Sequence, residues 1–367
     1  MSKVIISGGG TGGHIFPALS IAHALKKINP STEILFVGAE GKMEMEKVPA
    51  AGFNIIGLPI AGIKRSLSLD NLFFPIKLIK SLSKANSILK SFKPDIAIGV
   101  GGYASGPMLF AASLNGVPTL IQEQNSYPGI TNKILSRKAT KICVAYEQMD
   151  QFFAASKIMF TGNPVREDIK DLSNKKEAAA AYFNLSSSVP TLLIVGGSQG
   201  ARSINKAILA GIEKLHTAGV QVIWQTGKTF FPEANDKIKQ LNLEKMKAFD
   251  FISKMDLAYA MCDVVVARAG ASTVSELCIV EKPAILVPLP TAAEDHQTKN
   301  CLSLVNRNAA ILVKDQEAFS ILVDEALSLL NNPEKRKELS LNIAPLARPD
   351  AAETIAREIY SIIESKK

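Results

Sequence analysis

The stretch VIISGGGTGG at positions 4–13 decides the fold, because it predicts a buried strand that runs directly into a glycine-rich loop. An apolar helical pattern follows, with Pro17 near its predicted start. The same order of strand, loop and helix recurs from position 192, beginning with LLIVGGSQG. Two such beginnings in one chain predict two α/β domains.

The rest of the chain alternates short apolar runs with helical patterns, which is typical of doubly wound parallel sheets. A length of 367 residues also favours two domains. We therefore predict two facing Rossmann-like domains at 1–163 and 164–349, divided at the turn residues 161–165. A last helix within 350–367 is expected to pack back on the first domain.

The composition indicates a globular protein with an anionic partner. A hydrophobic share of 47% with 21% charged residues is globular, and no apolar run approaches the roughly 18 residues that cross a bilayer. The net charge of +8 predicts an anionic partner, which is a nucleic acid, a phosphorylated substrate or an anionic membrane surface. No signal-peptide pattern occurs, and four scattered cysteines predict buried apolar residues in a reducing cytoplasm.

Both glycine loops are candidate phosphate sites, because glycines let backbone N–H groups approach a phosphate at the start of a helix. Gly8, Gly10 and Gly13 also form the dinucleotide-binding pattern, and Glu40 is a candidate ribose ligand after the second predicted strand. A nicotinamide-dependent oxidoreductase is therefore one alternative. The other alternative is that the two glycine loops are tight turns that bind no ligand.

Four side chains are candidates for chemistry near these loops. His14 follows the first loop and is a candidate general base or phosphate ligand. Glu276 follows a predicted strand and a glycine turn, where its carboxylate suits vicinal ribose hydroxyls. Gln297 and Asn300 share a helix face that suits sugar hydroxyls. The structural alternatives are ordinary packing for His14, a capping role for Glu276 with Thr273, and a solvated helix start for the two amides.

Seven motifs occur in a characteristic order along the chain. They are Gly8 to His14, Gly101-Gly102-Tyr103, Glu123-Gln124-Asn125, Thr131-Asn132-Lys133, Gly162 to Arg166, Gly196 to Ala201 and Arg268 to Glu276. Jointly they resemble the MurG-type transferases, which make lipid II from lipid I and UDP-N-acetylglucosamine (UDP-GlcNAc) in bacterial cell-wall synthesis.

This resemblance implies a GT-B fold whose second domain holds the donor and whose first domain holds the lipid-linked acceptor. UDP-GlcNAc and lipid I would be the substrates, with no nucleic-acid partner. The implied donor residues are Thr11, Gly12, Gly13, Arg166, Ser198, Gln199, Ala271, Ser272, Thr273, Glu276, Gln297 and Asn300. The implied acceptor residues are Thr11, His14, Tyr103 and Asn125, with His14 catalytic. His296 stands where some members have glutamine, and its role stays open.

The implied reaction is attack of the muramyl 4-hydroxyl of lipid I on the anomeric carbon of the α-linked donor, with inversion to a β-1,4 bond and release of UDP. The second glycine loop would stabilise the departing diphosphate, a role that a metal has elsewhere. No Asp-x-Asp motif occurs, so neither a bound metal nor a cofactor is predicted, although a dissolved divalent ion is compatible. A non-catalytic nucleotide-sugar sensor is a further alternative.

Positions 64–93 carry seven basic residues and one acidic residue, a net charge of +6. A helix after Pro75 would place lysines beside an apolar knuckle, as in proteins that rest on anionic lipid. We therefore predict a peripheral protein at the cytoplasmic face of the inner membrane, where a lipid-linked acceptor is reached. A core helix with a solvated lysine face is the alternative. The predicted membrane residues are Leu72, Phe73, Phe74, Lys77 and Lys80.

Overall fold

The computed structural model describes residues 1–60, 62, 74–197 and 199–366. The chain divides into two compact units. The first comprises residues 1–166 and 348–367, and the second comprises residues 167–347. The divisions therefore fall after Arg166 and Ala347, a few residues from the predicted boundaries at 163 and 349.

The first unit contains a seven-stranded, wholly parallel sheet in the order β3-β2-β1-β4-β5-β6-β7. Its strands are β1 (Lys3–Ser7), β2 (Glu33–Ala39), β3 (Asn54–Leu58), β4 (Ile96–Gly99), β5 (Thr119–Glu123), β6 (Lys141–Val144) and β7 (Ile158–Phe160). Its described helices are α1 (Gly12–Ile28), α2 (Glu44–Ala50), α3 (Phe74–Phe92), α4 (Ser105–Leu114) and α5 (Ile130–Leu135).

The second unit repeats this design with a six-stranded parallel sheet in the order β10-β9-β8-β11-β12-β13. The strands are β8 (Thr191–Val195), β9 (Gln221–Gln225), β10 (Met246–Phe249), β11 (Val264–Ala267), β12 (Ala284–Leu286) and β13 (Ile311–Leu312). Helices α6 (Lys176–Phe183), α7 (Arg202–Ala210), α8 (Ile212–Thr217), α9 (Phe231–Gln240), α10 (Met255–Met261), α11 (Ala271–Val280), α12 (His296–Val305), α13 (Ala318–Leu330) and α14 (Pro333–Ile343) surround it.

Both sheets are doubly wound, and this confirms the predicted fold class. The strand order reverses between β1 and β4 in the first unit and between β8 and β11 in the second. Central strands such as Val4–Ile6 are buried on both faces, which explains why the sequence shows continuous apolar runs rather than alternation.

Helices cover the first sheet in two layers. Helices α3, α4 and α5 pack on one apolar core, whereas α1 and the last helix, α15 (Ala351–Ser365), pack on the core of the opposite face. Tyr360 joins α15 to α1, because its hydroxyl donates to the carbonyl oxygen of Leu25 at 2.9 Å and lies 2.6 Å from the hydroxyl of Thr32.

Helix α1 begins at Gly12, earlier than the predicted start near Pro17. The backbone N–H groups of His14 and Ile15 both donate to the carbonyl oxygen of Thr11, so the helical hydrogen bonds begin at the end of the glycine loop. His14 therefore lies in the first turn of a helix rather than in a loop.

Cys143, Cys262, Cys278 and Cys301 are buried, as predicted, and burial raises the pKa of the Cys262 thiol to about 11. Within the described ranges, no helix is both long enough and apolar enough to cross a membrane.

Candidate functional site

A cavity of about 650 Å³ lies in the second unit at the carboxyl ends of β8 and β11, where the strand order reverses. Ligands of open α/β sheets bind at this position. The glycine loop after β8 and the turns after β11 and β12 form its walls. Its lining residues are Val195, Gly196, Gly197, Gln199, Gly200, Ala201, Arg202, Ser203, Lys206, Arg268, Gly270, Thr273, Leu289, Pro290, Thr291, Gln297 and Asp315.

The glycine loop of this cavity packs tightly on the residues that follow β9. A Cβ atom added to Gly200 would lie 2.2 Å from the carbonyl oxygen of Thr226, and one added to Gly227 would lie 2.4 Å from the amide nitrogen of Gly200. Asn205 of α7 supports this contact, since its side chain donates to Thr226 at 2.8 Å and accepts from the indole of Trp224 at 3.0 Å. Only glycine fits these positions, and the loop conformation is thereby set.

Three basic side chains and one carboxylate line the cavity. Arg202 and Lys206 belong to the first two turns of α7. Arg268 follows β11, and its guanidinium contacts the carboxylate of Asp315 at 2.5 Å and donates to the hydroxyl of Ser203 at 3.0 Å. Cations beside the N-terminus of a helix suit a diphosphate, because the backbone dipoles and side chains attract the same anion.

Three of the predicted donor residues line this cavity, namely Gln199, Thr273 and Gln297. Gln297 has a defined orientation, because its Oε1 accepts a hydrogen bond from the backbone N–H of Leu289 at 2.9 Å. It is therefore a positioned amide at the cavity wall rather than a solvated helix start. Ser198 lies outside the described residues.

Positions 271–273 form the first turn of α11, and Gly270 is the N-cap of this helix. The Ser272 hydroxyl oxygen is buried and has no hydrogen-bond partner among the described residues. Glu276 lies in the second turn, where its Oε2 accepts from the hydroxyl of Tyr259 at 3.0 Å. A neighbouring side chain thus orients the Glu276 carboxylate, and Thr273 lies inside the helix rather than at its N-cap, which is Gly270.

Asn300 is fully buried in α12, with 0% of its surface exposed. Its Nδ2 donates to the carbonyl oxygen of Ala269 at 3.4 Å. In this arrangement Asn300 supports the turn after β11, and a direct contact with a sugar stays a prediction. His296 is the first residue of α12 and is half-buried.

The first unit brings its own glycine loop against the turn that follows β4. A Cβ atom added to Gly102 would lie 2.2 Å from the carbonyl oxygen of Gly9, and one added to Gly101 would lie 2.8 Å from Nε2 of His14. Both Gly101 and Gly102 have positive φ angles, of +88° and +86°. The His14 ring therefore lies against glycine backbone at the switch point of the first sheet.

His14 contacts two groups of its own loop through Nδ1. The carbonyl oxygen of Gly9 lies 3.0 Å from this nitrogen, and the hydroxyl of Thr11 lies 3.3 Å from it. A carbonyl only accepts, so Nδ1 carries the proton in the neutral ring and Nε2 carries the lone pair. This tautomer suits a general base that acts through Nε2.

Asn125 is positioned by the buried carboxylate of Glu123, to which the sequence analysis assigned no role of its own. Glu123 accepts hydrogen bonds from the backbone N–H and the side-chain amide of Asn125 at 3.0 and 3.3 Å. It also accepts from the backbone of Gly129 and, at 2.8 Å, from the side chain of Asn132. Burial raises the pKa of the Glu123 carboxyl. Glu123 thus organises the whole turn after β5.

Tyr103, Arg166 and Glu40 are the remaining predicted residues of the first unit. Tyr103 is half-exposed, and its ring lies against Gly62. Arg166 is the last residue of the 1–166 part of the first unit, and its guanidinium lies 5.3 Å from the centroid of the Phe16 ring. Glu40, the candidate ribose ligand of the oxidoreductase alternative, instead forms an exposed ion pair with Lys84 at 2.8 Å.

Sequence reasoning missed two acidic residues of these sites, Glu44 and Asp315, and named a third, Glu123, only as part of a family motif without a role. Glu44 is 1% exposed, and its carboxylate accepts from the backbone N–H groups of Gly10 and Ala39 at 2.9 and 3.0 Å. Asp315 follows β13, so the rule that ligands bind at the carboxyl ends of strands was the available signal. No local pattern marks the other two as buried.

Two doubly wound units, one with a basic, glycine-walled cavity at its switch point, define a nucleotide-binding α/β protein. The chain belongs to glycosyltransferase family 28, since the model of the N-terminal domain of that family matches residues 4–144 and the model of the C-terminal domain matches residues 191–355. The family resemblance found in the sequence is thereby confirmed, and the chain is a glycosyltransferase.

Similar proteins agree with this assignment. The chain is 57% identical over 365 residues, covering 100% of this chain and 98% of the relative, to a protein of Cytophaga hutchinsonii named UDP-N-acetylglucosamine–N-acetylmuramyl-(pentapeptide) pyrophosphoryl-undecaprenol N-acetylglucosamine transferase. A protein of the same name from Parabacteroides distasonis is 53% identical, covering 99% of each chain. Among solved structures, Acinetobacter baumannii MurG has a TM-score of 0.78 at 28% identity, covering 98% of this chain and 100% of that one.

Proposed function

We propose that the protein transfers N-acetylglucosamine from UDP-GlcNAc to lipid I, the undecaprenyl-linked muramyl pentapeptide, and so forms lipid II for peptidoglycan synthesis. The relatives that share more than half of its residues over the whole chain carry this activity in their names. The observation that supports it most directly is the basic cavity on the second glycine loop, which has the charge and position for a nucleotide diphosphate.

In this proposal the second unit holds the donor. The loop 196–201 and the N-terminus of α7 bind the diphosphate, together with Arg202 and Lys206. Glu276 accepts hydrogen bonds from the ribose hydroxyls, and Gln297 binds the sugar. The family pattern adds Ser198, Ala271, Ser272, Thr273 and Asn300 of this unit, and it also assigns Thr11, Gly12, Gly13 and Arg166 of the first unit to the donor.

The first unit holds the acceptor, with Thr11, Tyr103 and Asn125 as binding residues and His14 as the general base. The acceptor 4-hydroxyl oxygen forms a bond to the anomeric carbon while the bond from that carbon to the diphosphate oxygen breaks. The hydroxyl proton passes to Nε2 of His14, and UDP leaves with the electron pair. Attack opposite to the leaving group inverts the α-linked donor to a β-1,4 product.

Fixed backbone N–H groups stabilise the charge that develops on the departing diphosphate. The close contact of Gly200 with Thr226 holds these groups in place before the reaction, so little reorganisation is required during bond cleavage. The cations of α7 add to this stabilisation. No cofactor takes part in this scheme.

UDP release is expected only when donor and acceptor are both present. The measurement is a coupled UDP assay with UDP-GlcNAc and a short-chain lipid I analogue, and the matched control is the same analogue without its 4-hydroxyl. In the presence of UDP-GlcNAc, a transferase releases UDP with the analogue that has the 4-hydroxyl and not with the analogue that lacks it. Equal release with both analogues would contradict transfer to that hydroxyl, and binding of UDP-GlcNAc without release would favour a nucleotide-sugar sensor. The oxidoreductase alternative has no support, since the chain is a family 28 glycosyltransferase.

We also propose that the first unit docks on an anionic membrane surface at the cytoplasmic face, because its acceptor is lipid-linked. Leu72 and Phe73 lie outside the described residues, and Phe74 is half-buried against the core. The exposed apolar residues of α3 are instead Ile76 and Ile79, at 50% and 66% exposure. Lys77 and Lys80 are next to them in the sequence.

Exposed apolar side chains continue on the two neighbouring helices of the same layer. Phe110 and Leu114 are exposed on α4, and Ile130 and Ile134 are exposed on α5. Helix α4 packs against both α3 and α5, so these side chains belong to adjacent helices. An apolar surface with lysines at its edge favours insertion below the headgroups of anionic lipid.

The double variant Ile79→Ser/Lys80→Gln is expected to weaken binding to anionic vesicles by about 5-fold or more, because each basic residue near the surface contributes roughly 1 kcal/mol and the apolar contact is lost as well. The measurement is vesicle co-sedimentation at low and high salt, since salt screens the attraction. The matched control is Lys27→Gln/Ile28→Ser, the same pair of changes at the end of α1 in the opposite layer. An equal loss of vesicle binding in the two double variants would contradict docking through α3. Turnover of a short-chain acceptor by the Ile79→Ser/Lys80→Gln variant should be unaffected.

A further inference from the structure

The buried carboxylate of Glu44 and the imidazole of His14 contact the same peptide group. Glu44 Oε2 accepts from the N–H of Gly10 at 2.9 Å, and the carbonyl oxygen of Gly9 lies 3.0 Å from Nδ1 of His14. That carbonyl and that N–H belong to one peptide unit, the bond between Gly9 and Gly10. The contacts therefore run from carboxylate to peptide N–H and from peptide carbonyl to imidazole N–H.

The surroundings of Glu44 are built to accommodate its carboxylate. Its other oxygen, Oε1, accepts from the N–H of Ala39 at 3.0 Å, and only 1% of the residue is exposed. A Cβ atom on Gly9 would lie 2.3 Å from the carboxylate, and one on Gly38 would lie 2.6 Å from its Cγ. The glycines at these two positions therefore leave room for Glu44.

This arrangement changes the role of the first glycine loop. The loop matches a phosphate-binding pattern, yet the N–H of Gly10 already donates to a carboxylate of the chain itself. A buried negative charge at this point also disfavours a second anion at the same N–H group. Gly9 and Gly10 therefore serve an internal contact rather than a diphosphate.

We propose that Glu44 is a positioning residue for His14 and acts through the Gly9–Gly10 peptide. A charge-assisted hydrogen bond to the N–H polarises the peptide, which makes its carbonyl a stronger acceptor for Nδ1–H of His14. The ring is held in the tautomer that leaves Nε2 able to accept a proton. The relay also stabilises the imidazolium that forms when His14 takes the acceptor proton. This inference rests on the proposed role of His14 as the base.

The tautomer of His14 is a direct test that does not depend on turnover. In protein with ¹⁵N-labelled histidine at pH about 8.5, where imidazole is neutral, two-bond ¹H–¹⁵N spectra distinguish Nδ1–H from Nε2–H rings. The His14 signals are assigned by their loss in His14→Gln. The wild-type protein is expected to show the Nδ1–H form, and an Nε2–H form in the wild type would overturn the relay.

Glu44→Gln keeps the shape of the side chain but replaces one carboxylate oxygen by an NH₂ group. The amide can accept from only one of the N–H groups of Gly10 and Ala39, and it carries no charge, so the Gly9–Gly10 peptide loses its charge-assisted hydrogen bond. The His14 signals are expected to shift toward a mixture of tautomers, and kcat is expected to fall about 10-fold with the donor KM unchanged. Glu46→Gln, an exposed residue of the same helix, is the matched control and should match the wild type in both measurements.

The outcomes separate the relay from the proposed function. An unchanged tautomer in folded Glu44→Gln overturns the relay, whatever happens to kcat. A changed tautomer with unchanged kcat supports the relay and contradicts only the assignment of His14 as the base. A changed tautomer with lowered kcat supports both.

Discussion

His14→Ala is expected to lower kcat by about 100-fold or more, which is the usual contribution of a positioned general base. The structure gives a physical reason for this size of effect. The ring lies in the first turn of α1, with Nδ1 3.0 Å from the carbonyl oxygen of Gly9 and Nε2 against the backbone of Gly101. Removal of the ring leaves no other positioned imidazole near this loop in the described part of the chain.

The measurement is steady-state kinetics with UDP-GlcNAc and a short-chain lipid I analogue, varying each substrate in turn. His216→Ala is the matched control, because His216 is an exposed residue of α8 outside both sites. A loss carried mainly by the acceptor KM would mean that His14 binds the acceptor rather than taking its proton. Near-normal kinetics with both substrates would show that His14 has only a packing role.

Glu276→Ala is expected to lower kcat/KM for the donor by about 1.5–3 kcal/mol, roughly 10- to 150-fold, with a raised donor KM. This is the range for hydrogen bonds to a charged group. Glu276 lies in the second turn of α11, and the hydroxyl of Tyr259 orients its carboxylate at 3.0 Å. The acceptor KM should not change, because the carboxylate is assigned to the ribose.

Two further variants separate ribose binding from folding. Tyr259→Phe removes the orienting hydroxyl but keeps the carboxylate, so we expect a smaller loss in the same parameter. Glu244→Ala removes an exposed carboxylate of the same unit and should behave as the wild type. A folded Glu276→Ala protein with an unchanged donor KM and kcat/KM would rule out the ribose assignment.

The sequence patterns predicted those features that depend on residues close together in the chain. Continuous apolar runs identified the parallel strands, and the glycine loops marked the switch points at β1 and β8. They also placed Glu276 after a strand and a glycine turn, and the structure has it in the second turn of the helix that follows. Local periodicity was sufficient for these predictions because a buried strand or a loop-to-helix start is set by neighbouring residues.

Periodicity was less informative about which side chains face outward. On α3, Ala85 and Leu89 are buried whereas Ile76 and Ile79 are exposed, and the apolar pattern did not single out the two exposed isoleucines. The predicted membrane knuckle began with Leu72 and Phe73, which lie outside the described residues. Apolar residues occur on protein surfaces as well as in cores, so the residue type alone does not show whether a side chain is exposed.

The sequence by itself determined the class of fold, the two glycine loops and the family. Only the tertiary structure decided which polar groups became buried partners, such as Glu44 under the first loop and Asp315 against Arg268, 47 residues away. The reason is physical. Strands and turns follow from short-range sterics and apolar burial, whereas a carboxylate inside the protein requires hydrogen-bond donors that distant segments supply only when the sheets are packed.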